Sequence, residues 1–365
     1  MRCSDYLGSV VGVIDPTSME VVADNVIGSG SVDPHLLTAL SGDLALPGNY
    51  PADDGAALID RYPNGVVTFL NPTDMSVRAQ LKVIGDFAAN PQDLLYVGAS
   101  RAYLTRLDPN PDPDRAPLDE GNDILIIDTA KPEIIGRIDL LPYAGGGLYP
   151  RPGRMLKRVG SAWVLLAELS LDYMHGEFSQ AAEVDIAADA VKRTIVLDGF
   201  ENCLDLCSPA GSDTIYAVCS GVYGEGTSEQ VRNSGIVSFK PEGAPEVSPV
   251  LKAAAVGSGR PFAATLACSA AGLWFAAVGD LNDGSADELY FLPYEGQQPQ
   301  RIFTAAGAFQ INDILADDFH NAVYVAAADP VHPLVHVFDA RDRSEIKNFN
   351  PDPSVGLPPR DLAFY

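Results

Sequence analysis

A short apolar run that ends at a turn-forming residue recurs seven times in this chain, and it constrains the fold more than any other feature. The copies are Ser9-Val-Val-Gly-Val-Ile-Asp15, Gly65-Val-Val-Thr-Phe-Leu-Asn71, Asp123-Ile-Leu-Ile-Ile-Asp128, Ala182-Glu-Val-Asp185, Gly235-Ile-Val-Ser-Phe-Lys240, Glu288-Leu-Tyr-Phe-Leu-Pro293 and Leu334-Val-His-Val-Phe-Asp339. The turn positions lie 56, 57, 57, 55, 53 and 46 residues apart. Several copies continue with Pro, Thr or Ser and then a second β-rich run. A second register runs upstream, with an aromatic at the same place in each strand: Tyr103, Trp163, Tyr216, Trp274 and Tyr324. Before each of these lies another apolar run, so each period holds about four short strands separated by Gly, Pro, Asn and Asp.

Four-stranded units at such a period predict an all-β fold, a single seven-bladed β-propeller over residues 1–365. One blade cannot bury both its faces, and stacking blades does so without leaving long edges. The chain opens just before the third strand of a blade, and Pro358-Pro-Arg-Asp361-Leu reads as an unpartnered first strand. The C-terminal strand is therefore expected to pair with the N-terminal blade, with residues 1–7 as remnant of its second strand. On this reading the N-terminus is truncated and an export signal is absent from the chain. Two segments compete with the β pattern. Residues 33–40 begin with Asp-Pro and could cap a short helix. Residues 178–192 are Ala-rich, although the repeat continues through them as strands.

The strand–Asp-Pro-Thr–strand unit resembles the YVTN-type repeat propellers, in particular those of the Gram-negative cell envelope, many of them lipoproteins. The stretches Asn90-Pro-Gln-Asp93-Leu-Leu, Arg151-Pro-Gly-Arg-Met155, Glu201-Asn-Cys203 and Gly356-Leu-Pro-Pro-Arg-Asp361-Leu carry the likeness further. The resemblance implies a propeller in the periplasm or at the cell surface. It is specific for fold and assigns no activity.

Charge narrows the partners. Among 365 residues, 24 Lys and Arg face 49 Asp and Glu, a net charge of −25, so a nucleic-acid backbone is repelled and a basic protein, a polymer or a cation is favoured. The 47% of apolar residues suffices for a large core and excludes wholesale disorder. No apolar run reaches the ~18 residues of a membrane span.

Loop lengths place the candidate site. The long connections are 27–54, 108–122, 140–150, 170–180, 220–233, 280–286 and 350–358, all expected on one face, where binding on a rigid scaffold usually resides. Asp93, Asp205, Asp313 and Asp361 stand at the start of the first strands, with Arg154 and Arg260 near the same place in two other blades. These residues either form a ligand-binding ring at the channel mouth or accept backbone N–H groups and rigidify it. Asp108, Asn110, Asp112 and Asp114 alternate as the oxygens of calcium loops do, but prolines separate them and Arg115 stands where such loops turn on Gly. A solvated acidic loop is the other reading, and Asp280, Asn282 and Asp283 form a similar segment. No cofactor beyond calcium is implied.

Catalytic signatures are sparse. His175, in a long loop, is the best single acid–base candidate. His332 and His336 would lie roughly 13 Å apart on a strand. No nucleophile elbow, phosphate loop or haem-attachment motif occurs. Of the five cysteines, a hairpin turning at 210–213 sets Cys203 opposite Cys219, within reach of a disulfide. Cys207 is expected to face Ile215 as a buried apolar residue; the alternative leaves all five reduced and buried. The leading expectation is a monomeric, non-catalytic binding or scaffold propeller. The runner-up is a lactonase-like hydrolase or lyase acting at the channel mouth.

Overall fold

The computed structural model describes residues 1–48, 56–243, 246–296 and 298–364; the end of the long connection 27–54 lies outside them. Among the described residues the strands form seven four-stranded sheets, and the fold is all-β, a seven-bladed propeller. Six sheets are built from consecutive strands, beginning at Asp43–Ala45, Pro91–Gly98, Pro152–Arg158, Cys203–Cys207, Phe262–Ser269 and Ile311–Asp317. The seventh joins the two ends of the chain. Its order is Pro359–Asp361, Arg2–Ser4, Ser9–Asp15 and Glu20–Gly28, and Arg2 lies opposite Asp361 in an antiparallel pair. This strand pair closes the propeller.

The recurring Asp has a local cause. Asp15 Oδ1 accepts the Thr17 amide at 2.9 Å, Asp128 Oδ1 accepts those of Ala130 and Lys131, and Asp185 Oδ1 accepts those of Ala187 and Ala188. Asp339 does the same for Arg341 and Asp342. A short carboxylate that caps its own turn ends one strand and starts the next, which is why the repeat is visible in sequence.

The chain divides into two compact units. One comprises Met1–Cys3, Val10–Asn25 and Leu197–Leu362, the other Ser4–Ser9, Val26–Val196 and the residues from Ala363. Within the second, Tyr103 is fully buried and packs with Met155, Val164 and Ala182 of the following sheet. Within the first, Trp274 packs with Val323, Val325 and Phe338, and Tyr324 with Met1 and Val10. Tyr103, Trp274 and Tyr324 thus each tie their own sheet to the next by apolar burial.

Two expectations are corrected. Residues 33–40 form turns, not a helix, because Gln80 Oε1 captures the amides of Leu37 and Thr38 at 2.8 and 2.9 Å. Cys207 faces Tyr216, not Ile215, because the register slips between Cys203 and Asp205. It is also bonded to Cys268, 61 residues away on the first strand of the next sheet, so it is a cross-link and not a buried apolar thiol. A second disulfide joins Cys203 and Cys219, which lie opposite each other in the hairpin. Cys3 is a buried free thiol whose pKa burial pushes up to about 12. The 220–233 connection holds a helix that the sequence pattern did not predict, Thr227–Asn233.

Candidate functional site

The first-strand carboxylates are hydrogen-bonded from sheet to sheet. Asp93, 1% exposed, accepts the Met155 amide at 2.7 Å on one oxygen and the Gly48 amide at 3.1 Å on the other. Asp205 accepts the Leu266 amide at 2.9 Å, and Asp313 accepts Leu362 at 2.7 Å together with the Thr265 hydroxyl at 3.2 Å. Thr265 occupies the corresponding place in its own sheet and takes the Ile314 amide at 3.1 Å. Asp93, Asp205, Thr265 and Asp313 each hold the backbone of the first strand that follows. Burial pushes the Asp93 carboxyl up and the Arg154 charge pulls it back. Arg154 itself donates to the Leu46 carbonyl. Asp361 is buried within the closing strand pair. Arg260 turns back into its own sheet, to Ala286 O at 2.5 Å and Glu288 at 3.0 Å.

Three of the long connections meet elsewhere, in the unit that contains residues 26–196. Arg151 is 1% exposed and ties them together. Its guanidinium pairs with Asp108, donates to the carbonyls of Ser170 and Leu171 at 2.9 and 2.8 Å, and stacks 3.7 Å over the Tyr173 ring. Tyr173 also donates to Asp108. The remaining alternating oxygens serve turns, Asn110 accepting the Asp112 amide at 3.0 Å and Asp112 that of Asp114 at 2.9 Å. Asp280 and Asp283 likewise accept the amides of Asn282 and Ser285. No group of three His, Cys, Asp or Glu among the described residues is placed to hold a metal ion. His175 is exposed beside Asp172, its backbone locked in a turn by Ser170.

Beneath the 108–122 connection lies a cavity of about 160 Å³, lined by Asn110, Arg115, Glu120, Asn122, Arg137 and Tyr149, among others. Its lining residues Glu120 and Arg137 adjoin a buried ion pair. Arg106 and Asp123 are both fully buried and joined by two hydrogen bonds of 2.8 and 2.6 Å, and Arg137 reaches the same carboxylate. A larger cleft of about 470 Å³ is lined by Leu37, Tyr62, Lys82, Ile84 and Asp86, but none of its lining residues carries a buried polar atom without a partner. Three residues along the smaller cavity each have one buried side-chain atom without a hydrogen bond: Arg115 Nε, Glu120 Oε2 and Asn122 Nδ2. Sequence reasoning marked the loop and Arg115, but not Glu120 or Asn122. The Asn-x-Asp pattern points to turn formers, whereas Glu120 and Asn122 are set by the strand that follows.

Glu168 carries no sequence signal and was missed. It is 2% exposed, and burial raises its carboxyl from 4.5 to about 7, while the Gly145 amide at 3.4 Å and the Gln180 amide group at 3.2 Å favour the charged form. An acid with a raised folded-state pKa holds more protons folded than unfolded, so stability falls as pH climbs from about 4.5 to about 7. Glu168→Gln is therefore expected to gain stability relative to wild type between pH 5 and pH 8, by at most roughly 3 kcal/mol. Denaturant titrations at the two pH values check this; an equal difference at both contradicts it.

No protein-family model matches the sequence, and neither does any curated protein. Solved structures do match in fold. A hydrazine synthase of Kuenenia stuttgartiensis superposes over 91% of this chain and 89% of its own, with a TM-score of 0.61 at 12% identity. A putative 6-phosphogluconolactonase from Bacteroides fragilis covers 95% and 94%, with a TM-score of 0.60 at 10% identity. Apo AztD from Citrobacter koseri covers 100% and 82%, with a TM-score of 0.51 at 12% identity. At such identities the shared property is the propeller fold. The same architecture carries different functions in these proteins, so function has to be argued from the site.

Proposed function

We propose that this protein is a non-catalytic binding propeller of the bacterial cell envelope, of the YVTN-type repeat class, presenting an acidic long-loop face to a basic protein, polymer or cation. The carrying observation is how the carboxylates are divided. Asp93, Asp205 and Asp313 on the first strands are buried or half-buried and engaged by amides of the next first strand, whereas Asp112, Asp114, Asp172 and Glu177 stand exposed on two long loops anchored by Arg151. Exposed acids on a rigid support attract cations and steer basic partners. No helix is long and apolar enough to cross a membrane. This reading also takes residues 1–365 as one domain, because the backbone passes between the two compact units repeatedly, and it takes the chain as a monomer.

A lysine-rich peptide tests the proposal. Replacing Asp112, Asp114 and Asp172 with Asn and Glu177 with Gln is expected to weaken its binding at least tenfold and flatten the salt dependence. Unchanged affinity contradicts the reading. The envelope setting rests on the two disulfides, which persist in oxidising compartments. Mass spectrometry of protein purified from its native host, alkylated before any reduction, is expected to find one free thiol, Cys3, and a chain four hydrogens lighter than after reduction. Five free thiols would contradict that setting.

The hydrolase or lyase reading keeps one supporting observation, the Glu168 carboxyl near neutrality. It requires substrate to reach a side chain that is 2% exposed.

A further inference from the structure

We propose that Leu281, Phe309 and Val331 form a docking patch for a basic, amphipathic segment of a partner protein. The proposal rests on the acidic-face reading for the partner's charge and deepens it, adding apolar side chains that such a partner must carry and the place where they seat.

The three residues stand on three connections of the unit that contains Leu197–Leu362. Residues 278–287 join the second and third strands of one sheet, Gly272–Ala277 and Glu288–Pro293. Residues 305–310 lead from its last strand, Gln300–Thr304, to the first strand of the next sheet, Ile311–Asp317. Residues 328–333 join the second and third strands of that sheet, Ala322–Ala327 and Leu334–Asp339. Neighbouring strands are antiparallel, so all three connections open at the same end of the two sheets.

A buried carboxylate locks these connections together. Asp287 Oδ1 accepts the Gly279 amide at 2.6 Å and the Phe309 amide at 2.9 Å, so two connections meet on one oxygen. Its Oδ2 takes the Gln310 and Ile311 amides at 2.7 and 2.8 Å. The Gln310 carbonyl accepts the Ala328 amide at 2.7 Å, which joins the third connection to the second. Each outer tip is pinned as well, Asp280 accepting the Asn282 amide at 2.8 Å and Asp329 the Val331 amide at 2.7 Å. Yet Leu281, Phe309 and Val331 are 75, 60 and 72% exposed. Phe309 also has a φ of +59°, a left-handed conformation that bulky residues rarely adopt, and the bond from its amide to Asp287 holds it there. One exposed apolar residue is ordinary. Three on interlocked connections are anchors already ordered before a partner arrives, which lowers the entropy cost of binding.

Charge selects the partner. The three connections carry Asp280, Asp283 and Asp329 at or near the surface and contain no Lys or Arg. Arg260 and Arg360 border them, but Arg260 is engaged by the Ala286 carbonyl and Glu288, and Arg360 by Asn312. An apolar patch rimmed by carboxylates matches a segment that carries apolar and Lys or Arg side chains together. A second copy of this chain matches poorly, because it brings a net charge of −25 of its own.

Fluorescence anisotropy of the full chain with a labelled peptide of alternating Lys-Lys and Leu-Leu pairs, and with its counterpart in which Ser replaces every Leu, tests the proposal. The Leu peptide is expected to bind at least tenfold more tightly and to keep measurable affinity at about 1 M salt, where exposed charges are screened beyond about 3 Å. Phe309→Asn removes the ring and tolerates the left-handed backbone. That variant, and Leu281→Ser combined with Val331→Ser, are each expected to weaken the Leu peptide at least fivefold and leave the Ser peptide unchanged, with circular dichroism reporting the fold. Equal affinity of wild type for the two peptides overturns the proposal, as does undiminished Leu-peptide affinity in both folded variants. So does a wild-type dimer in sedimentation that Phe309→Asn dissociates, because a second copy would then cover the patch. A Ser peptide indifferent to the replacements at Asp112, Asp114, Asp172 and Glu177, beside a Leu peptide that responds to Phe309→Asn, would overturn the acidic-face reading alone.

Discussion

Replacing Asp93 with alanine is expected to destabilise the protein by about 3–5 kcal/mol, because it removes two hydrogen bonds to a buried carboxylate and strands both donors. The Met155 amide that it serves lies in the first strand of the next sheet, and the Gly48 amide lies just after the first strand of the preceding one, at 2.7 and 3.1 Å. With Asp93 1% exposed, water does not readily replace the lost oxygens. Urea unfolding should show a lower midpoint at an unchanged slope. Asp93→Asn, which keeps one acceptor, should lie between. A loss below about 1 kcal/mol would mean the amides find other partners.

The second large effect is expected at Arg106. Its guanidinium makes two bonds to Asp123 and two to the carbonyls of Val83 and Leu118, at 3.1 and 2.5 Å, with no exposed surface. Arg106→Met leaves Asp123 buried with only Arg137 for charge compensation, and removing one partner of a buried pair costs about 3–5 kcal/mol. Replacing the pair together is the informative control. Arg106→Met with Asp123→Leu should be less destabilised than Arg106→Met alone, since a buried ion pair is often matched by apolar residues of similar volume. A double variant that is as unstable as the single one, or less stable, would contradict this.

Much of the fold was legible because its devices are short-range. Asp15, Asp128, Asp185 and Asp339 cap turns within two or three residues, so their spacing survives in the sequence as a period. The buried aromatics Tyr103, Trp274 and Tyr324 are legible for a related reason, since each fills the same space against the next sheet. Thr265 shows the limit. It holds the Ile314 amide as the first-strand carboxylates hold theirs, yet a search for Asp passes over it because a hydroxyl does the same work. The Cys207–Cys268 bond escaped because its halves become neighbours only when the first strands of successive sheets stack. Glu120 and Asn122 carry no periodic signal at all. Each has a buried side-chain atom without a hydrogen bond, and that can be judged only once every surrounding donor and acceptor is in place.

The central claim is that the recurrent first-strand carboxylates hold the sheets together while binding belongs to the long loops. Measuring urea stability and lysine-rich peptide affinity on the same Asp93→Ala protein tests it most directly. The account predicts a markedly lower unfolding midpoint with unchanged peptide affinity in the folded protein. An Asp93→Ala protein as stable as wild type that has lost the peptide would contradict it.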